Sequence, residues 1–238
     1  MIGRIQSIQS LGTLDGPGVR FVAFMAGCPL RCKCCHNPET IDGKEFGEYE
    51  PGKLADTAAR FLEYFGERGG VTLSGGEPLL QAEFATEYFR LCHERGINTC
   101  LDTSGCMMNE AVRILLSHTD RVLLDIKYTN DADYRENVGC SIFPVLSFLE
   151  ELERRRIPTT LRQVIIPTVN DTEESVRILR DIALTHACVD GVELLPFRKY
   201  CQIKYDNLKI PFPFGHLPEP TEAQMAHLRA LLDTALEK

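Results

Sequence analysis

The chain has 238 residues, 44% of them hydrophobic and 25% charged, with a formal charge of −8 at neutral pH. Such a chain can bury a sizeable core, and no run of eighteen or more apolar residues offers a membrane-spanning helix. The acidic balance, without any basic stripe carrying interleaved aromatics, argues against a nucleic-acid partner.

The N-terminal "MIGRIQSIQS" holds no long apolar segment and no small-residue cleavage site, so no secretory signal is read there and a cytoplasmic location is expected. In a reducing compartment, ten cysteines read as metal ligands, catalytic groups or buried thiols rather than disulfides. Cys92, Cys100, Cys106, Cys140, Cys188 and Cys201 are scattered, with no two at ligand spacing, and most are expected to act as small core hydrophobes.

Asp15-Gly16-Pro17-Gly18 has turn chemistry. After it, "RFVAFMAG" (20–27) is the first of six short apolar runs. The others are "GVTLSGGE" (70–77), "INTCLDTSG" (97–105), "RVLLDIK" (121–127), "TTLRQVIIP" (159–167) and "GVELLPF" (191–197). They are rich in Val, Ile, Leu and Thr and bounded by Gly, Pro or Asp, as buried parallel strands are. Between them, "LADTAARFLEYFGERG" sets Leu54, Ala58, Phe61, Leu62 and Phe65 at helical spacing, and "QAEFATEYFRLCHERG" does so with Phe84, Tyr88 and Leu91. Further helices are predicted over 109–117, 142–155, 172–185 and 221–236, the last with Thr221 as N-cap. Six strand–helix units with right-handed crossovers give an α/β fold. An incomplete barrel is suggested by six units rather than eight; a doubly wound open sheet has the same periodicity. One domain is expected over 1–238, with a core of about 16–200.

The polar residues of these strands collect at their C-terminal ends: Ser74-Gly75-Gly76-Glu77, Asp102-Thr103-Ser104, Asp125-Ile126-Lys127, Arg162-Gln163 and Arg198-Lys199. In barrels and open parallel sheets alike, that edge binds ligands. Asp125 and Lys127, two apart on a strand, share a face and at the least form an ion pair.

On the rim of that edge lies "AGCPLRCKCCHNP" (26–38), with Cys28, Cys32, Cys34 and Cys35 followed by His36 and Asn37. The C-x3-C-x2-C spacing of Cys28, Cys32 and Cys35 suits a cubane iron–sulfur cluster with one iron lacking a protein ligand. A structural zinc site, completed by Cys34 or His36, is the alternative. Adjacent side chains such as Cys34 and Cys35 point apart in most backbone conformations, so both rarely bind one ion.

In order along the chain, "GTLDGPGVRFVAFMAGC", "CHNPET", "VTLSGGEPLLQAEF", "CLDTSG", "LLDIK" and "ELLPF" resemble the glycyl-radical-enzyme activases of the radical S-adenosylmethionine (SAM) superfamily, over nearly the whole length. The resemblance implies an incomplete (β/α)6 barrel of parallel strands with outer helices. It implies one [4Fe–4S] cluster on Cys28, Cys32 and Cys35, whose open iron is chelated by SAM. One electron then cleaves SAM to a 5′-deoxyadenosyl radical, which takes hydrogen from a glycine Cα of a partner enzyme, with pyruvate formate-lyase the expected target under anaerobic conditions.

By the same resemblance, Cys34, Cys35 and His36 line the SAM site, with Gly75, Gly76 and Glu77 at the methionine moiety. Asp125, Ile126, Lys127 and Arg198 complete it, Lys127 acting with the cluster cysteines in catalysis. Asp102, Thr103 and Asp125 offer oxygens to a monovalent cation beside the SAM carboxylate. Asp15 and Arg162 fall beside the glycine loop of the substrate protein.

Two positions depart from the family pattern. Cys34 stands where an aromatic usually precedes the third ligand, and is expected to be no ligand. Arg198 stands where a histidine often follows, with Cys201 at an expected glycine. Only 38 residues separate Cys35 from Ser74 and none is cysteine, so one cluster is expected, reduced by a separate flavodoxin or ferredoxin. The activase is expected to act as a monomer. The competing expectations are activation of another glycyl radical enzyme, radical SAM chemistry on a small molecule, and a zinc or electron-carrier module.

Overall fold

The computed structural model describes residues 1–236. The chain divides into two compact units, Met1–Pro29 with Glu39–Leu123, and Leu30–Pro38 with the residues from Leu124 onward. Along the chain the elements begin with β1 (Gly3–Gly12), β2 (Arg20–Met25), α1 (Pro38–Ile41), β3 (Gly47–Tyr49), α2 (Pro51–Ala59) and α3 (Leu62–Phe65). They continue with β4 (Gly70–Gly75), a 3₁₀ turn (Pro78–Gln81), α4 (Ala82–His93), β5 (Asn98–Thr103), α5 (Glu110–Leu116) and β6 (Arg121–Asp125), the last beginning in the first unit and ending in the second. The rest are α6 (Asp131–Asn137), α7 (Phe143–Arg155), β7 (Thr159–Ile165), α8 (Glu173–Leu184), β8 (Val189–Pro196), α9 (Gln202–Leu208) and α10 (Glu222–Leu236). The six apolar runs are β2 and β4 to β8. No helix of the described residues is long and apolar enough to cross a membrane.

In the first unit the strands lie side by side as β3-β1-β2-β4-β5. β2, β4 and β5 are parallel, with Val22 opposite Thr72 and Thr72 opposite Cys100. Val22, Ala23, Val71, Leu73, Cys100 and Leu101 are fully buried, the two-sided burial of a covered parallel sheet. β1 and β3 were not expected. β1 pairs antiparallel with β2, and its apolar Ile5 and Ile8 are three apart, which a period of two rejects. A register shift between Ile5 and Ser7 supplies the extra residue, so a bulge carries the pattern across. β3 has three residues, one of them charged, and carries no apolar signal.

The helix expected from Leu54 onward is two pieces. Arg60 N–H donates to Thr57 and Phe61 N–H to Ala58, three residues back instead of four, and this tightening separates α2 from α3. Leu54, Ala58 and Phe65 keep their place in the core, while Leu62 turns out to 46% exposure. α5, α6 and α8 start at side-chain caps: Asn109, Asn130 and Thr172 each accept from an N–H of the first turn. Thr221 caps α10 in a reciprocal box, Gln224 N–H to Thr221 Oγ1 at 3.2 Å and Thr221 N–H to Gln224 Oε1 at 2.8 Å. Of the scattered cysteines, Cys92, Cys100, Cys188 and Cys201 are buried, and Cys106 and Cys140 are half-buried.

In the second unit β7 and β8 are parallel, with Leu161 opposite Val192, and Ile126 N–H continues the ladder from the end of β6 to Arg162 O at 2.9 Å. α7 buries Val145, Phe148, Leu149 and Leu152. On its flank Glu151, 9% exposed, takes both Arg154 (2.6 and 2.8 Å) and Arg155 (2.7 Å). The Arg154 hydrogen bonds lead in holding its carboxyl down to about 2, from the ordinary 4.5. Because the folded value lies below the unfolded one, this stabilisation is complete above about 4.5 and fades as pH falls from there toward about 2. Arg154 is 65% exposed, so screening leaves about 1–2 kcal/mol at neutral pH. Glu151→Gln is therefore expected to lower the urea midpoint at pH 7, the gap from wild type closing as pH drops below 4.5. A gap independent of pH would assign the loss to packing.

Candidate functional site

In the first unit, the C-terminal ends of β2, β4 and β5 are tied together. Gly76 N–H donates to Met25 O at 2.9 Å and Glu77 N–H to Gly27 O at 2.8 Å, so β4 runs on along the lead-in to Cys28. A Cβ on Gly75, whose φ is +101°, would lie 2.5 Å from Met25 N, and one on Gly76 would lie 2.2 Å from Gly27 O. Both glycines are thus required by close approach of backbone to backbone. Gly27 and Cys28 N–H groups donate in turn to Thr40 O and Ile41 O of α1, at 2.7 and 3.1 Å.

The carboxylate of Glu77 is 1% exposed and accepts from Thr103 Oγ1 (2.6 Å), Ser104 N–H (3.0 Å), Ser104 Oγ and Leu79 N–H (3.1 Å). Burial pushes this carboxyl up, and the four donors oppose the shift. Its acceptor capacity is engaged by β5 and its own turn, so it braces the strand ends. Asp102 accepts from Ser74 Oγ at 2.6 Å beside it. Asp15 sits at the other, N-terminal edge, its carbonyl accepting from Thr72 Oγ1 at 2.7 Å.

In the second unit, the cysteine segment is pinned to the end of α6 by Arg31 N–H to Val138 O and Lys33 N–H to Asn137 O, both 2.9 Å. Cys35 N–H donates to Cys32 O at 3.1 Å, a turn that gathers these two residues. From α9, Tyr205 Oη donates to Cys35 O at 3.1 Å and Lys204 Nζ to Asn37 Oδ1 at 2.8 Å.

A small pocket opens there between Cys34, Asp125, Lys127, Arg162, Val164 and Ile166. Asp125 lies between two cations: Lys127 Nζ is 2.9 Å from Oδ2 and Arg162 Nη2 is 3.2 Å from Oδ1. Burial alone would raise its carboxyl; Lys127 and Arg162 overcome this and hold it below the ordinary range. Burial likewise works against the Lys127 charge, and Asp125 more than restores it. Burial, then Cys32, pushes the Cys34 thiol up to about 12, so it is protonated at neutral pH. Tyr134 frames the trio, accepting from Lys127 N–H at 3.1 Å and donating to Asp125 O at 3.3 Å.

Cys34, Asp125, Lys127 and Arg162 are thus brought together in one pocket, Arg162 joining the cofactor residues although it was expected beside the substrate loop. Ile126 is not brought into this pocket: it is fully buried, with its N–H on Arg162 O and its carbonyl accepting from Gln163 Nε2 at 3.0 Å. Arg198 faces the C-terminal segment, paired with Glu219 at 3.1 Å and Glu222 at 3.3 Å. His36 is exposed on its loop, its ring reaching the Arg198 backbone. Val164, Ile166, Tyr134 and Tyr205 were missed. Alternation along β7 could have flagged Val164, two residues beyond Arg162; the tyrosines lie in polar stretches that carry no periodic signal.

The donor chemistry fits the groups the sequence implies. The turn of Cys32 and Cys35 offers two thiols of the kind an iron–sulfur cluster takes. A pocket with charges of both signs and an aliphatic wall suits a zwitterionic, partly apolar cofactor.

Residues 22–181 match the model of the Radical SAM superfamily. Over 238 residues the chain is 39% identical to the pyruvate formate-lyase-activating enzyme of Clostridium pasteurianum, covering 100% of both chains. It is 36% identical, over 238 residues, to the pyruvate formate-lyase 1-activating enzyme of Escherichia coli (strain K12), covering 98% of this chain and 96% of that protein. Among solved structures, a domain of pyruvate-formate lyase-activating enzyme from Bacteroides vulgatus ATCC 8482 superposes with a TM-score of 0.58 at 21% identity, covering 70% of this chain and 94% of that one. The last likeness shows the α/β fold alone.

Proposed function

Since the chain belongs to the radical SAM superfamily, we propose that it activates pyruvate formate-lyase by generating a glycyl radical on it under anaerobic conditions. The observation that carries this is similarity along the entire chain, 39% over 238 residues, to a protein of that activity. When bound, the cluster and SAM together supply the radical that takes one hydrogen atom from a glycine Cα of the partner.

Cys28, Cys32 and Cys35 would hold the [4Fe–4S] cluster, and Cys34, in the pocket wall, stays out of its ligand set. Lys127 and Arg162 offer fixed positive charge to a carboxylate, and Asp125 keeps both charged and aimed. Val164 and Ile166 exclude water on one side, which strengthens those charges. Gly75, Gly76 and Glu77 act from behind, setting the path of the backbone into Cys28. Asp102, Thr103 and Asp125 carry hard oxygens suited to a monovalent cation. Arg162 is kept as the residue toward the substrate glycine loop, while Asp15, bonded at the N-terminal edge of its strands, is withdrawn from it. Flavodoxin or ferredoxin supplies the electron, the chain works as a monomer, and the cytoplasm is its location.

Electron paramagnetic resonance on anaerobically reconstituted, dithionite-reduced protein tests this. The expected result is a reduced [4Fe–4S] signal that changes shape on adding SAM, then a glycyl radical doublet on adding pyruvate formate-lyase. A SAM-responsive cluster with no doublet would move the activity to another glycyl radical enzyme or a small molecule. A signal indifferent to SAM would overturn the radical chemistry.

A further inference from the structure

Tyr128, on the stretch between β6 and α6, is 2% exposed, and its hydroxyl has no hydrogen-bond partner among the described residues. Buried polar groups are nearly always paired, so an unpaired one calls for a missing partner. The ring cannot easily swing to find one elsewhere. It packs edge-on against Tyr134, centroids 6.2 Å apart at 82°, and Tyr134 is itself held by Lys127 N–H and Asp125 O.

α6, the helix whose Tyr134 the ring packs against, also holds the cysteine segment. That segment is fixed to the end of α6 by the bonds of Arg31 to Val138 and of Lys33 to Asn137. After burial itself, the groups acting most strongly on the Tyr128 phenol are the thiols of Cys34 and then Cys32, ahead of Lys127. A neutral thiol accepts hydrogen bonds weakly, whereas thiolate and sulfide sulfur accept them well.

We propose that the Tyr128 hydroxyl donates a hydrogen bond to sulfur of the cluster held by this loop, as a positioning residue that raises the cluster's reduction potential. The proposal rests on the function proposed above. It concerns a residue outside the ligand set, and the orphaned hydroxyl of this chain is what calls for it. Hydrogen bonds to sulfur favour the reduced, more negative state, so losing one makes reduction harder.

Tyr128→Phe keeps the ring and its contact with Tyr134 and removes the donor alone. In a redox titration of reconstituted protein followed by electron paramagnetic resonance, the variant is expected to shift negative. At a fixed potential the reduced-to-oxidised ratio should fall about threefold to tenfold, with tenfold equal to about 59 mV for one electron. Thermal unfolding supplies a second readout. The cluster-free variant should be at least as stable as cluster-free wild type, because an unpaired group has gone, whereas the cluster-loaded variant should be less stable than its wild type.

An unmoved potential, or an equal loss of stability in both forms, would overturn the proposal by showing a protein or water partner for the hydroxyl. If Tyr128→Phe fails to accumulate, fluorotyrosine at position 128 keeps the ring and strengthens the donor; a positive shift is expected, and no shift would overturn the proposal. Wild type that takes up no SAM-responsive cluster would bring down the proposed function and this inference together. A SAM-responsive cluster whose potential ignores residue 128 would bring down this inference alone.

Discussion

Cys28→Ala, Cys32→Ala and Cys35→Ala are each expected to lose the reconstituted cluster and with it all glycyl radical formation, while Cys34→Ala keeps both. Three thiolates are the protein's whole share of a cluster whose fourth iron is left open, so removing one leaves two, and two do not hold a cubane against exchange. Iron content should drop from about four per chain to fewer than about one in the three ligand variants. Cys34 differs by placement: it lines the pocket with Asp125, Lys127 and Arg162. Truncating so small a side chain is worth about 1 kcal/mol, so the radical yield of Cys34→Ala should stay within about fivefold of wild type. Iron analysis together with the reduced-cluster signal separates the four variants. A cluster retained in Cys28→Ala and lost in Cys34→Ala would reassign the ligand set.

The six strands were readable from the sequence, because two-sided burial writes continuous apolar runs into it. β1 was hidden by its bulge and β3 by its brevity. The site was legible as far as the strand ends: Asp125, Lys127 and Arg162 do meet. What stayed hidden is where a polar side chain spends its hydrogen bonds. Glu77 answers to Thr103 and Ser104, 26 and 27 residues away, and Arg198 to Glu219 and Glu222, across a segment without periodicity. Tyr128 sits in "YTNDADYREN", which reads as a polar loop although Tyr128 and Tyr134 are both buried. Gly75 and Gly76 were expected to admit a ligand, and the atoms a Cβ would strike are instead those of Met25 and Gly27.

Arg20→Leu is expected to cost about 4 kcal/mol of stability, a fall of roughly 8–16 °C in Tm for a chain of this size. Arg20 opens β2 and is fully buried, with no carboxylate among its hydrogen-bond partners in the described residues. Its Nε donates to Thr72 Oγ1 at 2.7 Å, Nη1 to Pro17 O and Arg68 O at 3.1 and 3.2 Å, and Nη2 to Val71 O at 2.7 Å and Asn98 Oδ1 at 3.0 Å. Burial lowers its pKa, but a guanidinium starts so high that it stays charged at neutral pH. The planar fork therefore reads carbonyls from the Asp15–Gly18 turn and from the starts of β4 and β5 at once, and Thr72 passes the same restraint to Asp15 O at 2.7 Å. An aliphatic side chain would fill the space and leave these acceptors without donors, some of them out of reach of water. Arg20→Lys separates charge from geometry. A single ammonium with three donors cannot serve all of these acceptors arranged around a fork, so about half of the loss should remain. Urea unfolding at one pH, with reconstitution checked at low temperature, measures both variants. If Arg20→Leu unfolds within about 1 kcal/mol of wild type, the buried fork is not what holds the turn to the sheet. If Arg20→Lys restores full stability, charge rather than hydrogen-bond geometry is what matters there.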